Sequence, residues 1–113
     1  MQPSNLISAT ASFCIAAAAA AAAFMPMSAH ASLALAQKST CTACHAAERK
    51  LVGPSFKEIA KRHSAEKGTA DALAASIRAG GSGKWGPVPM PAQPKLSEAD
   101  ALALAVWIMG TAK

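Results

Sequence analysis

The sequence predicts an all-α domain of about four helices. Three observations point to it: apolar residues recur at helical spacing within residues 32–113, Ser or Thr stands as a cap before three of those stretches, and nothing alternates convincingly as a strand. With 113 residues the chain has room for one small domain.

Residues 1–31 read as an export signal that is removed. A short polar start is followed by an apolar stretch containing eight consecutive alanines, Ala16 to Ala23. Pro26 then breaks any helix, and Ala29-His30-Ala31 supplies the small-x-small pattern before Ser32. The apolar stretch is shorter than the roughly 20 residues that a comfortable membrane span needs. Against this stand an uncleaved anchor, because the start carries no Lys or Arg, and a lipoprotein signal at Cys14. Bulky Phe13 stands just before Cys14 where a lipoprotein signal wants a small residue, so Cys14 is read as leaving with the signal. The domain is therefore expected to be 32–113. It holds all eleven Lys and Arg and all six Asp and Glu, keeping the net charge at +5.

Within the domain each helix has its own reason. Residues 32–42 are Ala- and Leu-rich without a breaker. Ser55 with Glu58 three residues later is a capping box for a helix to about His63, in which Phe56, Ile59 and Ala60 form one apolar stripe. Thr69 caps a third helix through Arg78 or Ala79, packed by Leu73 and Ile77 and stopped by Gly80. Ser97 opens a fourth that ends at Gly110, with Leu102, Val106 and Met109 as its stripe and Leu104, Trp107 and Ile108 beside it. That last helix is apolar nearly all round, so it must be well buried or cover something large. Residues 80–94 hold four glycines and four prolines and are expected to lack regular structure.

Composition raises a difficulty. Only five aromatic residues occur, Phe13, Phe24, Phe56, Trp85 and Trp107, and two of them lie in the signal. Disordered acidic chains, collagens, coiled coils and disulfide-dense toxins are excluded. A core so poor in large side chains implies that something else helps to fill it. Two cysteines as close as Cys41 and Cys44 staple little as a disulfide.

The run Cys41-Thr42-Ala43-Cys44-His45 supplies the missing filler. Its spacing is the attachment signature of a c-type haem. Two thiols three positions apart reach two vinyl groups of one porphyrin, and the next residue aims an imidazole at the iron. A redox-active C-x-x-C of the thioredoxin kind lacks its preceding strand here. A zinc site would need a fourth ligand and would pair adjacent Cys44 and His45 awkwardly. Met90, flanked by Pro89 and Pro91, projects a single sulfur from a stiff loop, whereas Met109 on an apolar helix reads as core. His63, beside Lys61 and Arg62, reads as solvated.

Over residues 33–112 the chain resembles a class I cytochrome c of the small bacterial cytochrome c-551 (c8) type. The pieces that carry the resemblance are the C-x-x-C-H run, Leu51-Val52-Gly53-Pro54 with the helix after it, Trp85-Gly86-Pro87-Val88-Pro89-Met90-Pro91, and the last helix with Trp107. The resemblance implies a small cytochrome c fold wrapped around one covalently attached haem c. It implies thioethers from Cys41 and Cys44, His45 and Met90 as axial ligands, and the Pro54 carbonyl accepting the His45 ring N–H. It also implies a hydrogen bond from the Trp85 indole to a haem propionate, and an amide, Gln93, near the methionine sulfur. Thr40 stands where the family has glycine, Ala36 where it has an aromatic, and Ser76 where it has a basic propionate partner, for which Arg78 is the candidate substitute.

The implied role is that of a soluble periplasmic one-electron carrier, not an enzyme. The alternative is a haem enzyme or gas sensor with a displaceable distal ligand. No second His, Arg or carboxylate stands in residues 85–93 to serve as acid or base. Expected partners are redox proteins such as a cytochrome-containing reductase and a terminal oxidase or nitrite reductase, with no nucleic acid and no stable membrane insertion; the expected state is a monomer. Lys38, Lys50, Lys84 and Lys95 lie in nearby segments and are expected either to ring the exposed haem edge for an acidic partner face or only to keep a small protein soluble.

Overall fold

The structure is a computed structural model that describes residues 29–112. The expected signal lies outside the described residues except for its last three, which begin the first helix. Four α-helices are present: α1 Ala29–Lys38, α2 Phe56–Ala65, α3 Ala70–Ala79 and α4 Glu98–Gly110. A 3-10 turn, Cys41–Ala43, follows α1, and a short hairpin of β1 Gly81–Gly83 and β2 Gly86–Met90 precedes α4.

Each expected cap is present. The Ser55 hydroxyl accepts from the Glu58 N–H while the Glu58 carboxylate accepts from the Ser55 N–H, a complete capping box. Thr69 accepts from Ala72 N–H, and Ser97 from Asp100 N–H. Each cap satisfies an amide that the first helical turn leaves without a partner. His63 is half-buried, and its Nε2 lies 2.7 Å from the Thr69 carbonyl, so it ties the end of α2 to the cap of α3.

Three expectations change. The first helix stops at Lys38 instead of running to residue 42, because Thr40 adopts a left-handed conformation with φ 61° that no α-helix continues. The segment 80–94 contains an antiparallel hairpin, with Gly81 paired to Met90 and Gly83 to Gly86. Its strands show no alternation in sequence because residues 81–85 and 87–89 are all exposed, so no buried face imposes one. On α4 two of the three expected stripe residues face outward: Val106 is 58% exposed and Leu102 38%, whereas Met109 packs against the core and Ala101, Leu104, Ala105 and Ile108 are buried. An all-apolar helix has no polar face to orient it, so its neighbours decide which side is covered.

The core joins α1, α2, α3 and α4. It is as thin as the composition implies: five of its ten buried apolar residues are alanines. Phe56, Leu73, Ile77, Leu104 and Ile108 supply its large side chains. Ala36 is fully buried where α1 meets α4. Trp107 packs its ring edge-on against Phe56 of α2 at 5.0 Å.

Candidate functional site

The large side chains of this core line a cavity of about 360 Å³, within the range of small-ligand sites. Cys41, Cys44, His45, Gly53, Pro54, Phe56, Leu104, Ile108 and residues 80–91 form its wall. Five of the six expected site residues are therefore brought together with the sixth, Met90, around one space.

The Cys41 side of the cavity is built from backbone contacts. Thr40 turns the chain out of α1, and the 3-10 turn that follows lets His45 N–H and Cys44 N–H both donate to the Cys41 carbonyl. Both cysteines are half-buried. Burial pushes the Cys41 thiol above its ordinary value, against a smaller opposing effect of its own backbone N–H.

The imidazole of His45 is held in one orientation. Its Nδ1 lies 2.7 Å from the Pro54 carbonyl oxygen. A carbonyl only accepts, so Nδ1 carries the proton and Nε2 keeps its lone pair for a metal. Buried Pro54 fixes that carbonyl, with Gly53 N–H donating to the Cys44 carbonyl at 2.9 Å just before it. A Cβ on Gly53 would lie 2.6 Å from His45 Cε1, so only glycine allows the backbone this close to the ring. Phe56 stacks on the same imidazole, ring centroids 5.6 Å apart at 27°.

The Met90 side is built from α3 and the hairpin. Gly80 ends α3 with φ 65° and ψ −166°. The backbone of Met90, Pro91 and Ala92 crosses against it so closely that a Cβ there would lie 2.5 Å from the Met90 carbonyl oxygen. Gln93 N–H donates to the Arg78 carbonyl at 2.9 Å and pins the chain beyond Met90. The Gln93 amide donates to the Pro91 carbonyl at 3.3 Å, and Gln93 is not among the cavity-lining residues. Arg78 is directed away from the cavity as well. Its Nε donates to the Leu96 carbonyl and its Nη1 pairs with Glu98, which ties α3 to the start of α4 and removes it as a substitute for a propionate partner. Ser76 lines the cavity but donates its hydroxyl to the Ala72 carbonyl. Trp85 lines the cavity at the hairpin tip, 38% exposed, with the Arg62 guanidinium 4.7 Å from its ring centroid.

The donor set fits a porphyrin that is attached on one side and ligated at its iron. Two thiols, one imidazole with a free Nε2 and one thioether border a space otherwise lined mainly by apolar groups and glycine backbone. Sequence reasoning did not find the close approaches at Gly53 and Gly80, nor the Arg62 contact. The i, i+4 spacing of Arg62 and Glu66 was legible, but not that both face residues 84–85.

Comparison with known proteins agrees with this geometry. The family model for cytochrome c matches residues 31–112. Cytochrome c-551 of Azotobacter vinelandii is 56% identical over 69 residues, which cover 61% of this chain and 83% of that protein. Cytochrome c-551 of Allochromatium vinosum is 47% identical over 83 residues, covering 74% and 88%. The crystal structure of Nitrosomonas europaea cytochrome c552 superposes with a TM-score of 0.67 at 46% identity, covering 70% of this chain and 98% of that one.

Proposed function

Because the chain belongs to the cytochrome c family and so carries one c-type haem through Cys41 and Cys44, we propose that it is a periplasmic one-electron carrier whose iron is held by His45 and Met90. The single observation that supports this reading is the shared cavity, which His45 and Met90 both line. The haem supplies reversible exchange of one electron between ferric and ferrous iron.

The chain supplies the rest. Pro54 holds the proton on His45 Nδ1, so the imidazole neither flips nor changes tautomer as charge moves. Met90, fixed between two prolines and against Gly80, would present a soft thioether that favours ferrous iron and raises the potential. With His45 and Met90 both holding the iron, a substrate would find no open coordination site. Phe56, Leu104 and Ile108 exclude water from the core side, whereas the exposed residues 87–89 leave an edge open to a partner protein. Trp85, on the cavity wall, would offer its indole N–H to a propionate. Among the described residues no helix is long and apolar enough to cross a membrane. Residues 1–31 act as the export signal, the mature domain is 32–113, and redox proteins that accept or donate one electron are its partners.

Absorption spectroscopy of the holoprotein tests the ligands. Met90→Ala removes the sulfur-to-iron band, lowers the potential and opens the iron to CO and cyanide. Met109→Leu leaves the band in place and costs less than about 1.5 kcal/mol as a volume-conserving swap. A native spectrum that is high-spin and responds to CO without denaturation refutes the carrier and favours an enzyme or sensor.

A further inference from the structure

The hairpin that bears Met90 is poorly secured by its own structure. β1 has three residues, all exposed, and its pairing with β2 is irregular between Gly81 and Gly83. Pro87 and Pro89 in β2 have no N–H to give to a ladder. Gly81, Gly83 and Gly86 all have positive φ, so the unheld segment has much conformational freedom to regain. Residues 81–89 include no buried side chain. One end of the hairpin is anchored where Met90 meets Gly80 of α3.

The other end is held by α2. Arg62 Nη1 donates to the Lys84 carbonyl at 2.6 Å, and its guanidinium lies over the Trp85 ring. Arg62 Nε donates to Glu66 Oε1 at 3.0 Å, and Lys84 Nζ donates to Glu66 Oε2 at 2.8 Å. The contacts close a ring. One carboxylate uses one oxygen to orient the guanidinium that grips the Lys84 backbone, and the other to grip the Lys84 side chain.

We propose that Arg62 and Glu66 form a latch on the hairpin tip that keeps Met90 seated, which makes them positioning residues for the sixth ligand. This rests on the reading of Met90 as that ligand. A surface ion pair alone contributes little. Here a charge-assisted bond to backbone, a cation–π contact and two ion pairs share the same two side chains, so truncating either one loosens the tip as a unit. With the tip free, only the Gly80 end restrains a strand rich in proline and glycine, and Met90 leaves the iron more often.

The test is the rate at which imidazole enters the ferric holoprotein, read beside amide exchange at residues 84–86. Arg62→Ala and Glu66→Gln each raise the entry rate about fivefold to tenfold, the scale of losing several weak surface contacts together. They also speed exchange at the tip. High salt raises the native rate toward that of the variants and leaves the variants nearly unchanged. Lys57→Ala breaks the Lys57–Glu48 pair on the same helix and leaves both readouts at native values. Native entry rates in both latch variants overturn the proposal, as does an equal rise in Lys57→Ala. Met90→Ala separates the two readings. If it binds imidazole no faster than the native protein, the ligand assignment fails and the latch with it. If it binds fast while the latch variants do not, only the latch fails.

Discussion

Gly80→Ala concentrates the logic of the Met90 side in one methyl group. The added Cβ would lie 2.5 Å from the Met90 carbonyl oxygen, 2.6 Å from Ala92 N and 2.7 Å from the Pro91 carbonyl carbon. All three atoms are backbone, so no side chain can swing aside. The backbone at φ 65° and ψ −166° also lies in a region that is essentially glycine-only, and forcing a side chain there costs about 1–3 kcal/mol. Overpacking adds about 1–3 kcal/mol. Together they come to about 2–6 kcal/mol. For a domain of this size a middle value lowers Tm by about 15–30 °C. The displaced chain is the one that carries Met90, so the sulfur-to-iron band weakens well below the melting transition. Thermal unfolding followed in the far-UV and in that band measures both effects. Gly110→Ala is the control: nothing lies within 4 Å of a Cβ there, so it leaves the band unchanged and does not lower Tm. A Gly80→Ala protein that melts within about 4 °C of the native one, with its band intact, refutes the reasoning.

Other outcomes follow from the same geometry. Thr40→Gly relieves a β-branched residue held at φ 61°, worth about 1–2 kcal/mol, and gives back about 0.5–1 kcal/mol in chain entropy, so calorimetry finds a net gain of about 1 kcal/mol. The Ser55 N–H, and then its hydroxyl, hold the Glu58 carboxyl below the usual carboxylate range. The stability this contributes is present above the ordinary carboxylate pKa and is lost as pH falls through the lowered folded value, so melts from neutral to about pH 3 lose more stability in the native protein than in Glu58→Gln. Exposed Lys50 borders the cavity, and for a ferricyanide ion that approaches to about one Debye length its reversal in Lys50→Glu slows oxidation about fivefold near 0.1 M ionic strength. Oxidation by a cationic cobalt complex speeds up instead, and equal responses to both oxidants show that the rim charge does not steer.

The sequence by itself determined the chemistry and the local starts of structure. Two thiols and an imidazole in five consecutive residues need no fold to be recognised, and the caps at Ser55, Thr69 and Ser97 act within four residues of themselves. The shortage of large side chains foretold the cavity. Wherever the deciding partner is distant along the chain, only the tertiary structure could choose. Arg78 and Arg62 are both arginines on amphipathic helices, yet one is drawn to Glu98 and Leu96 and the other to Lys84 and Trp85. Nothing near either residue says which. The face that α4 buries was undecided for a similar reason: a helix apolar all round carries no periodic signal, and the packing of α1, α2 and α3 selected Leu104 and Ile108 over Leu102 and Val106. Gly53 and Gly80 are turn residues in sequence, and their second role depends on what packs against them. In one case that is the His45 ring eight residues earlier, and in the other the Met90 backbone ten residues later. Periodicity and capping are short-range forces written in adjacent residues, whereas close approach belongs to the packed chain.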